Sequence, residues 1–504
     1  MSSYPTRFFR KLLLIAGLTW VSVQILSAQR VVFVPSSNAN VGVLNDVIAG
    51  DTLASGARVD SATVYKLERG GYYLLNGSIE NRFPLTIMGA DSAGPWPVLQ
   101  PAVQSGGAAA DAFRVRDDLT LKNLYITNQD NGGGLGLRTI RCSADGIRLT
   151  IDSCHVDRSG QAGIRVDNPG ITIRLTNSIF SNIGVTVDPN NGRAIDDRGV
   201  SMDSIIIENS TFFNLTSTVL RDDGGAFDYF WFNHNTVLNV GQRGIDAGQV
   251  AWARVTNNLF HNVGFLGSLN NDPTRVVVII DSIAGSAQII DIRNNGFWAD
   301  SAALAAVFPV GVGLPARFSA AAQAFIDEAG TGDSNVSDDP GFVDAPASPV
   351  NVAAGWHSDP GNTPPMDDGG ATSINPMPFN MAYAVASPYY SASLAGQPLG
   401  DLNWWNLQIT GIKDRLLAQS TQLSNYPNPF ADQTTIRYEL ENAAHVRLSV
   451  YNMTGQQIAL LADTRQAAGK YEVTWDAGNH AAGMYFYRLE VGNALATQKM
   501  VLAK

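Results

Sequence analysis

The chain has 504 residues, 45% of them hydrophobic and only 16% charged, with a formal net charge of −11. That composition belongs to a folded protein of two or three domains or one long repeat array, and it excludes a disordered chain. The acidic balance, with no basic patch along the sequence, argues against a nucleic-acid partner and suits a soluble exported protein.

The first element in chain order is a leader. Arg7, Arg10 and Lys11 precede the apolar run 12–26, and "LSAQ" sets the small residue Ala28 before Gln29. This is the pattern of a secretory signal peptide over residues 1–28, cleaved between Ala28 and Gln29. The run falls short of the roughly 20 residues a membrane span needs. No transmembrane segment is therefore expected in the mature protein, with an uncleaved N-terminal anchor as the alternative. Cleavage removes three cations and no acid, moving the net charge from −11 to −14. Export permits a disulfide between Cys142 and Cys154, the two cysteines. Two buried small hydrophobes are the equal alternative.

Residues 29–412 read as one domain. "VGVLNDVIAGD" (Val41–Asp51) predicts a short helical cap. From Leu121 a unit recurs: an apolar strand end, Asn or Ser, a short gap, an apolar residue, and often Asn-apolar-Gly. Its apolar markers are Ile126, Val156, Phe180, Phe212, Val237, Phe260 and Phe297, at intervals of 30, 24, 32, 25, 23 and 37 residues. Repeats of about 20–50 residues imply a stacked array. The segments between are alternating, rich in β-branched residues and turned by Gly and Asn, with no amphipathic helix. The expected fold class is all-β: a right-handed parallel β-helix with coils about 4.8 Å apart, followed by a small antiparallel β-sandwich. Asn123, Asn177 and Asn209 recur at one corner, where Asn tolerates a left-handed turn and bonds the neighbouring coil.

The segment "ATVYKLERGGYYLLNGSI" resembles the opening coil of pectate-lyase-like β-helices. The repeat dissolves after Trp298. "RFSAAAQAFIDEAG" predicts one short helix within an irregular C-terminal cap spanning about 301–412. The closing "GQPLGDLNWW" resembles the end of β-helix domains of uncharacterised function in secreted Bacteroidota proteins.

Aligning "RTIR", "AGIRVD", "RAIDDRG", "GAFDYF" and "RGIDAG" places Arg141, Arg165, Asp196, Asp228 and Asp246 in one outward column. Arg193 and Arg243 stand three residues before Asp196 and Asp246. Three carboxylates at coil spacing repel unless a cation intervenes. Arg193 and Arg243 are the internal candidates; calcium near Asp196, Asp228 and Asp246 is the external one. Carboxyl groups about 5–5.5 Å apart suit retaining glycoside hydrolysis, and about 6.5–9.5 Å suits inverting hydrolysis. Asp196, Asp228, Asp246, Arg193 and Arg243 are thus the catalytic candidates. Arg141, Arg165, Asp222 and Asp223 are the binding candidates, with polysaccharide as the partner. The bland alternative is a solvated salt-bridge ladder.

The fold resembles that of polysaccharide lyases and polygalacturonases, but their motifs do not transfer. Of the polygalacturonase set only Asp-Asp pairs occur, and Gly-His-Gly is missing; so are the Asn-Lys-Ser and Asn-Gly-x-Glu signatures of β-helix lyases. His155, His234 and His261 sit in or beside the corner motif and read as structural. Triplets such as "DSA" at Asp60 and "DSI" at Asp203 match the O-glycosylation sequence of Bacteroidota exported proteins. Two functions stay open: a β-helix that binds polysaccharide, as a lyase or hydrolase or without catalysis, and a non-catalytic surface, adhesion or structural protein.

A linker over 413–422 leads to a last unit, 423–504, whose strands alternate and are joined by short turns. "YPNPF", "TTIRYEL", "VRLSVYNMTGQQI", "GKYEVTWDA", "GMYFYRLEVG" and "QKMVLAK" follow one another in order. The unit is similar in this to the type A C-terminal sorting domain of the type IX secretion system. The resemblance implies export by that machinery, removal of the domain by a cell-surface sortase, and a cargo released or anchored to the outer-membrane surface. A generic carbohydrate-binding or fibronectin-like sandwich is the alternative.

Overall fold

The computed structural model describes residues 29–503 apart from 37–39, 56, 104–110, 270–274, 284, 286–287, 329–335, 367–378, 406–422, 441–443, 453–456, 468 and 492–493. The expected leader with Ala28, and the linker 413–422, lie outside the described residues. Gln29 is the first residue described and is exposed.

The chain coils through three parallel sheets. One complete turn runs from His155–Asp157 in the third sheet to Ala162–Val166 in the second, Thr172–Thr176 in the first, and back to the third at Ile179–Ile183. Each strand pairs in parallel with its counterparts one coil before and after. The long strand Arg243–Thr256 belongs to both the second and first sheets, with its register shifting between Asp246 and Gln249. The fold is a parallel β-helix, as the repeat required.

The repeat markers form one stack. Ile126, Val156, Phe180, Phe212, Val237, Phe260 and Phe297 are successive partners across the third sheet. All seven belong to the interior cluster, and Phe260 and Phe297 stack with ring centroids 5.0 Å apart. Parallel registry forces like upon like here, because a residue pointing inward in one coil meets its counterpart pointing inward in the next.

At the corners, side-chain amides run along the helix axis in one direction. Asn262 donates to Asn239 (3.2 Å), Asn239 to Asn214 (3.3 Å), Asn214 to Asn182 (3.2 Å), and Asn182 to the Asp157 carboxylate (2.8 Å). A second series runs from Asn209 to Asn177 (2.7 Å) and on to Asp152 (2.9 Å). These asparagines hold φ near +50°, a conformation Asn accepts at little cost. Each series ends on an anion in the same coil, so every amide dipole points towards a negative charge and the bonds reinforce one another.

Both ends are covered. Helix Val43–Gly50 buries Leu44 and Ile48 at the start, and helix Ala320–Glu328 buries Ala322 and Ile326 near the finish. Two further helices, Ser301–Ala305 and Val350–Ser358, lie in the irregular cap and carry no sequence signal strong enough to predict. The "GDLNWW" segment lies across the third sheet. Asp401 N–H donates to Thr236, Leu402 N–H to Asn209 and the Trp404 indole to Thr211, at 2.7–3.0 Å. Cys142 and Cys154 are free and buried, and burial pushes both thiols up to about 12.

The C-terminal unit is antiparallel. Ser424–Tyr426, Gln433–Leu440 and Gly469–Asp476 form one sheet; Ala444–Asn452, Gln457–Gln466, Gly483–Val491 and Ala494–Leu502 form the other. Val446, Leu448 and Val450 alternate inward onto Ile436, Trp475 and Tyr487, giving a small sandwich with its own core.

Candidate functional site

The second sheet presents an outward column of charges. Arg114, Arg141, Arg165, Asp196 and Arg221 are consecutive partners across five coils. Asp246 follows, because Leu220 pairs with Ile245. Asp228 is not in this column. It is exposed on Ala226–Asn233 of the first sheet, between residues paired with Val250 and Trp252. The expected slot is filled by Arg221. The slip has a local cause: the third-to-second corner of that coil is Thr216-Ser217, without glycine, whereas Gly224-Gly225 turns the chain one corner later.

With Arg221 in place, the expected run of three carboxylates becomes an alternation. Asp196 is fully buried, with Arg221 Nε 3.0 Å from Oδ1 and Arg193 Nη1 3.6 Å from Oδ2. Arg243 pairs with Asp246, and Arg221 also reaches Asp223. Burial pushes the Asp246 carboxyl up to about 6, against the pull of Arg243. Upstream, Arg141 and Arg165 grip Asp167 from two sides, at 2.5 and 2.7 Å. Burial would raise the Asp167 carboxyl, but those two guanidiniums hold it below the usual carboxylate range.

Beside the column lies a pair that sequence reasoning missed in part. Asp222 was among the expected residues, but its partner Asp197 was not. Asp197 Oδ1 accepts from the backbone N–H of Asp223 (2.8 Å) and Gly199 (3.0 Å). Asp222 Oδ1 accepts from Gly224 and Gly225, at 2.8 Å each. Burial, with the Asp222 carboxyl beside it, pushes Asp197 up to about 8. At neutral pH the pair therefore holds a proton between its two carboxyl groups, with Asp222 as the partly exposed member. The signal was present as two Asp-Asp doublets ending strands of successive coils.

Among the described residues no group of three or more His, Cys, Asp or Glu side chains is gathered to hold a metal ion. The column itself offers calcium no third carboxylate, since guanidiniums take the positions between and beside Asp196 and Asp246. The corner histidines are structural in their surroundings. Burial lowers His155 and His234 to about 4 and His261 to about 3, so all three are neutral near pH 7.

Residues 424–503 match the family model of the secretion system C-terminal sorting domain. No curated protein matches the chain. Among solved structures, an alginate lyase from Paenibacillus sp. str. FPU-7 aligns with 16% identity over 54% of this chain and 88% of its own, at a TM-score of 0.34. The tailspike protein gp49 of Acinetobacter baumannii bacteriophage Fri1, a capsular polysaccharide depolymerase, aligns with 8% identity over 88% of this chain and 73% of its own, at 0.19. Superpositions this loose transfer no residue role. Among the described residues no helix is long and apolar enough to cross a membrane. The C-terminal unit is a sorting domain of the type IX secretion system, and it marks the β-helix as exported cargo.

Proposed function

We propose that the exported β-helix binds polysaccharide along the outward face of its second sheet, and that a surface sortase removes the sorting domain on arrival. One observation carries the binding reading. The side chains of Arg114, Arg141 and Arg165, on three consecutive coils, are 37%, 30% and 19% exposed, and the column then continues through Asp196 to Arg221, with Asp223 and Arg243 beside it. Guanidiniums and carboxylates repeating at about 4.8 Å offer donors and acceptors in a row. A chain of hydroxylated or carboxylated rings satisfies both kinds. Asp196 and Arg193, buried beneath this face, stabilise the ladder without meeting a ligand.

Cleavage is the second reading, favoured by the Asp197–Asp222 pair. Proton transfer to a glycosidic oxygen needs a carboxyl that retains its proton at neutral pH. The proton shared by the pair reaches a substrate through Asp222, the member exposed to solvent, with Asp197 behind it as a positioning residue.

The test is binding of the purified full chain to uronate-containing and neutral polysaccharides, with and without calcium, alongside a reducing-end assay. Arg141→Gln combined with Arg165→Gln is expected to weaken polysaccharide binding by at least about tenfold, the loss of roughly one charged hydrogen bond. Unchanged binding in that double variant sinks the second-sheet reading. Asp222→Asn is expected to abolish cleavage while leaving binding intact; binding without any cleavage in the parent chain leaves a non-catalytic surface protein.

A further inference from the structure

A second polar site lies at the corner between the third and second sheets, and corner lengths create it. The connection from Tyr125–Thr127 to Arg138–Cys142 uses residues 128–137, and that from Ile179–Ile183 to Arg193–Asp196 uses 184–192. Between them, His155–Asp157 reaches Ala162–Val166 through residues 158–161 alone. A short corner flanked by two insertions leaves a cleft of about 220 Å³. Arg158, Asn182 and Thr216 line it from the coils, Leu135 and Val185 from the insertions, and Met366 from the cap.

Arg158 breaks the corner pattern. Its register equivalents in later coils are Asn182, Asn214, Asn239 and Asn262, all with φ between 51° and 55°. Arg158 adopts φ 57°, which a long side chain disfavours. Such strain persists only where its surroundings over-determine it. Asp157 does so here. Its carboxylate accepts from Tyr125 Oη (2.5 Å), Ser181 Oγ (2.6 Å), Asn182 Nδ2 (2.8 Å) and Arg158 Nε (3.0 Å). Because the Ser181 hydroxyl donates to Asp157, its contact with His155 Nε2 (2.7 Å) requires the imidazole to donate from that nitrogen. Tyr125, His155, Asp157 and Ser181 are all buried, so they are positioning residues that fix the guanidinium.

We infer that this cleft binds a single anionic sugar unit, its carboxylate against the Arg158 guanidinium and its apolar ring face against Leu135 and Met366. The guanidinium fork matches a carboxylate in shape as well as charge. The volume is below the roughly 300–1,000 Å³ of sites for larger ligands, which limits the occupant to about one ring. The inference stands independently of the second-sheet reading.

Calorimetric titration of the full chain with glucuronate and with glucose tests it. Glucuronate is expected to bind at least about tenfold more tightly than glucose, and Arg158→Gln to remove that advantage. Leu135→Trp fills the cleft from an exposed wall without touching the Asp157 network, and is expected to block glucuronate in a chain whose thermal unfolding is unchanged. Polysaccharide binding by Leu135→Trp is expected to match that of the parent chain, so failure at either site is read separately. Equal affinity for the two sugars, no saturable glucuronate binding, or undiminished binding in Leu135→Trp overturns the inference.

Discussion

A buried carboxyl group in contact with a second one is stable only while one proton stays between them. Asp197, fully buried and pushed up to about 8 by burial and by Asp222, is in that position. In the unfolded chain it titrates near 3.9. The folded state therefore binds more protons between those values, and the stability this confers is lost as pH rises from about 4 to about 8. Burial gives Asp246, at about 6, and Asp401, at about 7, the same sign over narrower windows. The buried histidines have the opposite sign. His155 and His234 fall to about 4 and His261 to about 3, against about 6.5 unfolded. Their contribution is complete above pH 6.5 or so and is lost as pH falls towards the folded values. Above about pH 6.5 the acid slope acts alone, so the melting temperature is expected to fall from there to pH 8. Asp197→Asn keeps a donor towards Asp222 without a titrating proton. Its melting temperature relative to the parent is expected to be several degrees more favourable at pH 8 than at pH 5. Parallel pH profiles would remove Asp197 from this account.

At the scale of the strand and corner, registry decides what each residue does. Phe212 is fully buried between Phe180 and Phe232, with centroids 5.7 and 6.2 Å away, and Phe212→Ala is expected to cost about 3–5 kcal/mol. Asn214→Ala interrupts the amide series between Asn239 and Asn182 and is expected to cost about 1–3 kcal/mol, since it strands buried polar groups. Chemical denaturation measures both, and a cost for Asn214→Ala below the Phe212→Ala cost separates the corner from the core. The same contrast explains what could be read in the sequence. The inward markers were legible from Ile126 to Phe297 because a packed interior admits only an apolar residue at every coil. The outward column was legible at Arg141, Arg165, Asp196 and Asp246 but not between the last two, because solvent accepts Arg221 or an aspartate equally well. The Gly224-Gly225 turn gives Asp228 the same local sequence setting as the column residues, which hides Arg221. The Arg158 cleft was written in the repeat as a 24-residue interval between intervals of 30 and 32. Spacing alone does not reveal that the extra residues bulge at one shared corner.

For the whole molecule, the informative fact is that, among the described residues, two interiors are built without a common residue. The β-helix core runs from Val34 to Ile326, whereas the sorting-domain core runs from Leu423 to Leu502. Stability of the first is therefore expected not to depend on side chains of the second. Export does depend on it, since residues 424–503 are the part matched to the sorting family. Deleting 424–503 is expected to leave the far-ultraviolet spectrum of a β-helix and a cooperative thermal transition, while the protein accumulates inside the outer membrane. Protease accessibility on intact cells and fractionation of the periplasm read the location, and circular dichroism of the purified product reads the fold. Loss of folding together with export would make the sorting domain a structural partner of the helix. Arrival of the truncated chain at the surface would contradict its role as an export address. The address and the charged coils thus fail in different assays, so variants at Arg141, Arg158 and Asp222 can be studied in a chain whose delivery is scored independently.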